Sequence, residues 1–481
     1  MTRETEPAGR LRTWWAARMR AFTGEIVRTA FPPTQRVSIP WSADALSQRH
    51  ARAVIDLCLR SGEAMLATGA TTADVVATVL RISGIYGLRN VHVDIAFTSI
   101  TISVHRGMDE DPISIMRVVK VRTIDYTRLQ AVYLLIDEIV TSGGAVDVDD
   151  ARERLSTILN QPHPYRRWVV TLGMAVLAGG VVVMFNASIV LALVAAASAV
   201  VADLIGRRLA KWGIAVFFSQ IACAAAITAI AVFMYWLRSL GVELPGTNHP
   251  TVIVISGIIM LLSGIGLTTA ARDAVDGYYL TASARAMEVV MLTLGLAIGI
   301  WVTIGVAFRL GVPASVGTSL GTGRGLWAGM LGVALVGIGF ALTSYVRFGL
   351  APLMAAAAVI VFAVYFLLRP LMPQPGLAAG IAGAVAGVIA YLAYRWVKVP
   401  EAAMAMAGII GLIPGLAFYQ GLYALIGDDF DPSAAVPALL SAAATGLGLA
   451  AGTAIGGYIA RLSFGLDRSA RAAQRRSRVR R

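Results

Sequence analysis

Hydrophobic patterning along the chain changes character near residue 165. Before it, apolar positions recur at helical spacing from Ser42 to Gly69, through Ala45, Leu46, Val54, Leu57, Leu59 and Met65, and a second helix is expected from near Thr72 to Gly87. The period then drops to two in "NVHVDIAFT", "SITISVHRG" and "ISIMRVVK", which predicts three strands, and helices follow over 124–141 and 148–160. Beyond 165 the alternation disappears. Uncharged apolar runs lie at 168–185, 187–205, 212–237, 251–270, 286–308, 326–346, 352–368, 377–396, 402–425 and 434–460. Each is close to the ~20 residues that a helix needs to cross about 30 Å of hydrocarbon. The expected fold is mostly α: ten transmembrane helices preceded by a small soluble α/β domain.

Composition agrees with lipid as the solvent for the larger part, because 57% of the residues are hydrophobic and only 14% charged. The expected division is a basic segment over 1–40, a soluble domain over 41–165, membrane halves over 166–310 and 311–460, and a basic tail over 461–481. Arginines and glutamates are mixed through the first 25 residues, so no secretory leader is expected and both termini are assigned to the cytoplasm. Threading the spans from there puts Arg166, Arg167, Arg207, Arg208, Lys211, Arg272, Arg285, Arg347, Arg395 and Lys398 inside, and only Arg238, Arg309, Arg324 and Arg369 outside. That asymmetry follows the positive-inside rule of a plasma-membrane protein. The net charge of +13 is concentrated in the arginine-rich tail, where it suits anionic lipid headgroups better than nucleic acid. Cys58 and Cys223 are the only cysteines, too few for a disulfide framework or a zinc cluster. No cofactor is expected.

Two apolar runs carry related strings, "SGIIMLLSGIGL" from Ser256 and "AGIIGLIPGLAF" from Ala407, at an offset of 151 residues. With five runs in each half this predicts a duplication, and an odd number of spans turns the second copy upside down. In such carriers the substrate sits where helices are interrupted by Gly or Pro. Gly264, Pro414 and Gly415 are therefore candidate cavity residues, with Ser256, Ser263, Thr268, Thr269, Tyr419, Gln420 and Tyr423 as nearby polar groups. Close helix packing is the competing reading of the glycines, since Gly295/Gly299, Gly383/Gly387, Gly411/Gly415 and Gly448/Gly452 all have GxxxG spacing.

The stretch "AARDAVDGYYLTASARAME" sets Arg272, Asp273, Asp276, Arg285 and Glu288 between two apolar runs. Carboxylates entering a span are usually paired or line a wet path. Asp273, Asp276 and Glu288 are candidate proton-coupling groups, and Arg272 and Arg285 their charge partners. The competing reading is a cytoplasmic loop whose charges face water.

Chemistry for other classes is sparse. No GxxxxGK motif or HExxH occurs, and "GTSLG" at 317–321 matches a hydrolase elbow only as letters, in an expected outer loop. His92, His105, Asp94, Asp109, Glu110 and Asp111, with Arg117, Arg122, Asp125 and Arg128, read as a solvated strand face and turn rather than a site. No catalytic or metal-binding residues are assigned, and the chain is not read as an enzyme. The alternatives are a gated small-solute channel and a membrane-anchored hydrolase.

The segment "LRSGEAMLATGATTADVVATVLRISGIYGLRNVHVDIAFTSITISVHRG", with "MRVVKVRTIDYTRLQAVYLLIDEIVTSG", "LLSGIGLTTAARDAVDGYYLTASARAMEVV" and "AGIIGLIPGLAFYQGLYAL", resembles the bacterial threonine/serine exporter family of ThrE type. The likeness covers about 45–460, in the form that fuses both membrane halves. It implies a soluble N-terminal domain, ten spans, and efflux of L-threonine and L-serine driven by the proton gradient. A homo-oligomer is compatible with all of this.

Overall fold

The computed structural model describes residues 48–105, 111–119, 123–241, 251–261, 264–312, 325–372, 374–426 and 431–479. The N-terminal domain contains α1 (Gln48–Thr68), α2 (Thr72–Ile85), strands β1 (Val91–Ala96), β2 (Ser99–Val104) and β3 (Ile113–Val118), then α3 (Tyr126–Thr141) and α4 (Val148–Asn160). The strands form an antiparallel meander, with Ile95 opposite Ile100 and Ile102 opposite Ile115. One sheet face supplies Ile100, Ile102 and Val104 to a core with Ile55, Leu59, Val79, Leu129 and Ile136. Gly62 lets α1 approach: a Cβ there would stand 3.1 Å from the Ile100 side chain. His92, Asp94 and Met116 are exposed on these strands, and among the described residues no group of His, Cys, Asp and Glu could hold a metal ion. Asp109 and Glu110 lie outside the described residues.

The membrane part begins with α5 (Arg167–Met184), α6 (Ile189–Lys211) and α7 (Val216–Ser239), then two short helices, α8 (Thr251–Leu261) and α9 (Gly264–Val275), and the 31-residue α10 (Tyr279–Arg309). The second part has α11 (Leu326–Thr343), α12 (Ala351–Leu368) and α13 (Pro375–Val397). It continues with α14 (Glu401–Ile409), a 3-10 turn at Ile410–Leu412, α15 (Gly415–Ile426) and α16 (Pro432–Val479). Eight of these helices are long and apolar enough to cross a membrane. The run at 402–425 is interrupted at Ile413 and Pro414, as its Pro–Gly pair predicts, and in the run at 251–270 α8 ends at Leu261 and α9 begins at Gly264, with 262–263 outside the described residues; the described residues thus contain eight full-length candidates and these two pairs of shorter helices. The charged stretch is largely helical rather than loop: α9 runs to Val275, α10 starts at Tyr279, and Arg285 and Glu288 belong to α10. The basic tail continues α16 as one helix to Val479.

Packing partners repeat between the two parts. The first helix of each packs on its second (α5 on α6, α11 on α12), the third on its fifth (α7 on α10, α13 on α16), and the broken element on its fifth (α9 on α10, α15 on α16). Glycines set the closest of these approaches. Cβ atoms at Gly387 and Gly456 would lie 2.2 Å from Thr453 O and 1.9 Å from Ala384 O, so α13 and α16 touch backbone to backbone. α7 and α10 pack the same way at Gly295 and Gly299, and α5 crosses α11 at Gly173, Gly180, Gly332 and Gly339. The GxxxG pairs at 295/299, 383/387 and 448/452 are thus packing contacts. Gly411 and Gly415 face different helices, at Val333 and Ile259.

The soluble domain docks on one end of the bundle. Tyr126 N–H donates to Ser344 O (3.1 Å), Thr127 Oγ1 to Tyr345 O (2.5 Å), Gln130 Nε2 to Lys398 O (2.9 Å) and Thr281 Oγ1 to Ile95 O (3.0 Å). These partners sit in the first turn of α10 and in the turns after α11 and α13, where Arg347 and Lys398 of the expected inner set also lie, with Arg395 in the last turn of α13.

Candidate functional site

An interrupted helix in lipid leaves backbone groups without partners unless a neighbour supplies them. At the end of α8 the Leu261 carbonyl accepts from Gln220 Nε2 of α7 at 2.7 Å, and Gln220 is buried. At the second break, Pro414 has no N–H to donate, and the chain turns sharply enough for Gly415 N–H to reach Ile413 O at 2.7 Å. The two broken elements meet. A Cβ on Gly415 would lie 2.9 Å from the Ile259 side chain, and Thr268 Oγ1 lies 3.4 Å from Met406 Sδ. As numbering rises along one element it falls along the other, so they cross antiparallel.

The expected polar lining divides here. Thr268 stands at the crossing. Ser256 is buried and donates to Ile253 O within its own helix (2.8 Å), while Thr269 donates to Gly266 O (3.0 Å). Gln420 is half-buried on α15. Ser263 lies outside the described residues, as do the side chains of Tyr419 and Tyr423, and the 317–321 string. A narrow apolar void of about 10 Å³ beside Gly257 and Leu261 is too small for a substrate.

One short helix links the break to the charges. From Gly264 to Asp273, α9 spans about 14 Å at 1.5 Å per residue. At its far end Asp273 is 1% exposed, and Arg285 Nη1 of α10 stands 3.1 Å from its Oδ2. Asp276, in the turn before α10, faces Arg272 Nε at 4.0 Å, and burial pushes its carboxyl up to about 6 against the pull of that guanidinium. Asp273, Asp276, Arg272 and Arg285 are therefore brought together, half-buried or buried, rather than spread on a wet loop. Glu288 is not among them: it is exposed on α10. Closing the group from the second part are Glu401 and Arg461, 2.6 Å apart. The soluble domain closes it from the other side, through the first turn of α2.

Several participants escaped the sequence reading. Gln220 was a lone amide in an apolar run, a detectable signal; Thr72 was one threonine among many. Asp203, inside α6, accepts from Thr171 Oγ1 of α5 at 2.7 Å and pairs with Arg207 at 2.5 Å, and an acid in an apolar run was a visible mark of it. A broad open groove of about 690 Å³ on the soluble domain is lined by Arg60, Asp149, Arg152 and Glu153. Arg152 there is already paired with Asp56 and Asp149, so the groove is solvated surface.

Interrupted helices crossing inside a bundle, with paired charges at their ends and a soluble domain over one mouth, define a polytopic membrane protein of the transporter class. Comparison with known proteins gives the family. A model described as "Putative threonine/serine exporter" matches residues 56–307, and one described as "Threonine/Serine exporter, ThrE" matches 329–459. The chain is 34% identical to the "Probable threonine/serine exporter" of Mycobacterium tuberculosis, over 89% of its own length and 80% of that protein's. It is 29% identical to the "Threonine/serine exporter" of Corynebacterium glutamicum, over 92% and 89%. The chain belongs to the threonine/serine exporter family, in the fused form. No solved structure matches it.

Proposed function

We propose that the protein exports L-threonine and L-serine across the bacterial plasma membrane by alternating access, in exchange for protons. The carrying observation is the antiparallel crossing of the two interrupted elements, Ile259 beside Gly415 and Thr268 beside Met406. An in-plane two-fold axis relating two five-span halves requires its self-paired elements to run antiparallel, and α5 with α11 do the same at their glycines. Ten spans in two inverted repeats follow if each broken element crosses the bilayer. At the crossing the N-terminal ends of α9 and α15 offer positive dipole ends to a substrate carboxylate. Ser256, Thr268, Thr269 and Gln420 stand on the same elements.

Coupling falls to Asp273 and Asp276, which take and lose protons as the mouth opens, with Arg272 and Arg285 setting their charge; Glu288 stands apart from them on α10. The soluble domain lies on the cytoplasmic side, together with the basic end of α16, which meets anionic headgroups.

Proteoliposomes with an imposed pH gradient and a panel of amino acids test the reading. Threonine and serine should move uphill, and a proton uncoupler should abolish that movement. Flow that continues only downhill, indifferent to the uncoupler, would show a channel instead.

A further inference from the structure

Six buried side-chain polar atoms among the described residues have no hydrogen-bond partner, and four of them gather at one place: Thr72 Oγ1, Arg272 Nε, and both carboxylate oxygens of Asp273. Thr72 is 0% exposed in the first turn of α2, which aims its amide and hydroxyl at Asp273. Arg285 Nη1 stands 3.1 Å from Asp273 as an ion pair, and Arg272 is the next residue along α9. Orphaned polar groups disfavour the docked form, and a valine in place of Thr72 would fill the same space without that penalty. Such groups are left with valence for a partner that the docked form lacks.

The unmet valences are complementary to one kind of guest. Beyond the Arg285 ion pair and the Thr72 groups that face it the carboxylate of Asp273 has no further donor, Nε of Arg272 has only the Asp276 carboxylate at 4.0 Å, and Thr72 has a hydroxyl that can donate or accept. A β-hydroxy α-amino acid carries an ammonium, a carboxylate and a hydroxyl. We propose that Thr72, Arg272 and Asp273 form a recognition site for such an amino acid at the plane where the soluble domain meets α9. Its ammonium goes to Asp273, its carboxylate to Arg272 and its side-chain hydroxyl to Thr72. The site rests on the exporter reading and adds to it that the soluble domain selects for the hydroxyl. Access requires α2 to draw back, which the docking contacts allow: they are hydrogen bonds to backbone carbonyls and the half-exposed Lys398–Asp137 pair at 3.1 Å.

The test compares L-threonine with L-valine, its isostere without the hydroxyl, on the full chain in proteoliposomes. Thr72→Val should raise the KM for threonine about three- to tenfold, the range of one neutral hydrogen bond, with Vmax little changed. The preference for threonine over valine should shrink with it, because a site built for a hydroxyl rejects the analogue lacking one. Thr72→Ser should restore both. Arg272→Gln should raise KM for threonine and valine alike, since both carry the carboxylate. A Thr72→Val protein that keeps the threonine preference overturns the site, as does one that loses Vmax equally for both amino acids, or Arg272→Gln with unchanged KM. If the unaltered protein carries neither threonine nor serine, the exporter reading itself falls.

Discussion

Arg285 and Asp273 illustrate what burial does to a charge pair. Removing one member of a buried pair leaves the other uncompensated, at a cost of about 3–5 kcal/mol, whereas removing both together costs far less. Arg285→Gln should therefore lower the thermal unfolding midpoint in detergent markedly, and adding Asp273→Asn should recover most of the loss. Equal midpoints for the two variants would remove the pair from the account. Asp276 carries a pH dependence. Its carboxyl titrates near 6 in the folded protein and near the ordinary 3.8 when unfolded, so the folded form holds the extra proton between those values. Stability from this group falls as pH rises through that window, by up to about 3 kcal/mol at about 1.4 kcal/mol per unit. Unfolding midpoints measured from pH 4 to 7 should fall less steeply for Asp276→Asn than for the unaltered protein. A parallel pair of curves would count against this assignment.

Elements are held together by backbone contact wherever a glycine stands in for a side chain. A Cβ at Gly452 would lie 2.0 Å from Gly380 O, while at Gly305 nothing lies within 4 Å. Gly452→Val should part α13 from α16 and leave little protein in the membrane, whereas Gly305→Ala should be neutral or stabilising by up to about 1 kcal/mol through helix propensity. Quantifying both in membrane fractions separates packing glycines from incidental ones. The spacing rule alone marked Gly411/Gly415 like the others. Only the neighbours, Val333 for one and Ile259 for the other, distinguish a break from a packing seam.

For the whole molecule, alternation of the helices puts Arg238 and Arg347 at opposite ends of the bundle, with Arg347 on the soluble domain's side. Single cysteines placed at these exposed positions should react with an impermeant thiol reagent from opposite faces of the membrane. Native Cys58 and Cys223 are buried and should stay silent, the Cys58 thiol pushed up to about 12 by its burial. Labelling of both from one face would reject the five-plus-five arrangement. The docking of the soluble domain across turns from both halves means that neither half can tilt without changing that contact, which joins the domain to any motion of the bundle.

Hydrophobic period determined most of the local structure. Ten runs, three strands and four soluble helices were legible because lipid and a small core each impose a periodicity that survives without knowledge of neighbours. The string around Pro414 also marked where a helix breaks, since proline and glycine act on the backbone locally. Tertiary structure alone decided the rest. The sequence could not show that Arg285 lies inside a helix and reaches back to Asp273, that Glu288 points away, or that Thr72, some 200 residues earlier, closes over them. Partners for a buried charge are chosen by which helices cross. That choice depends on glycine contacts and on a docking surface spread over distant turns, which no local pattern encodes.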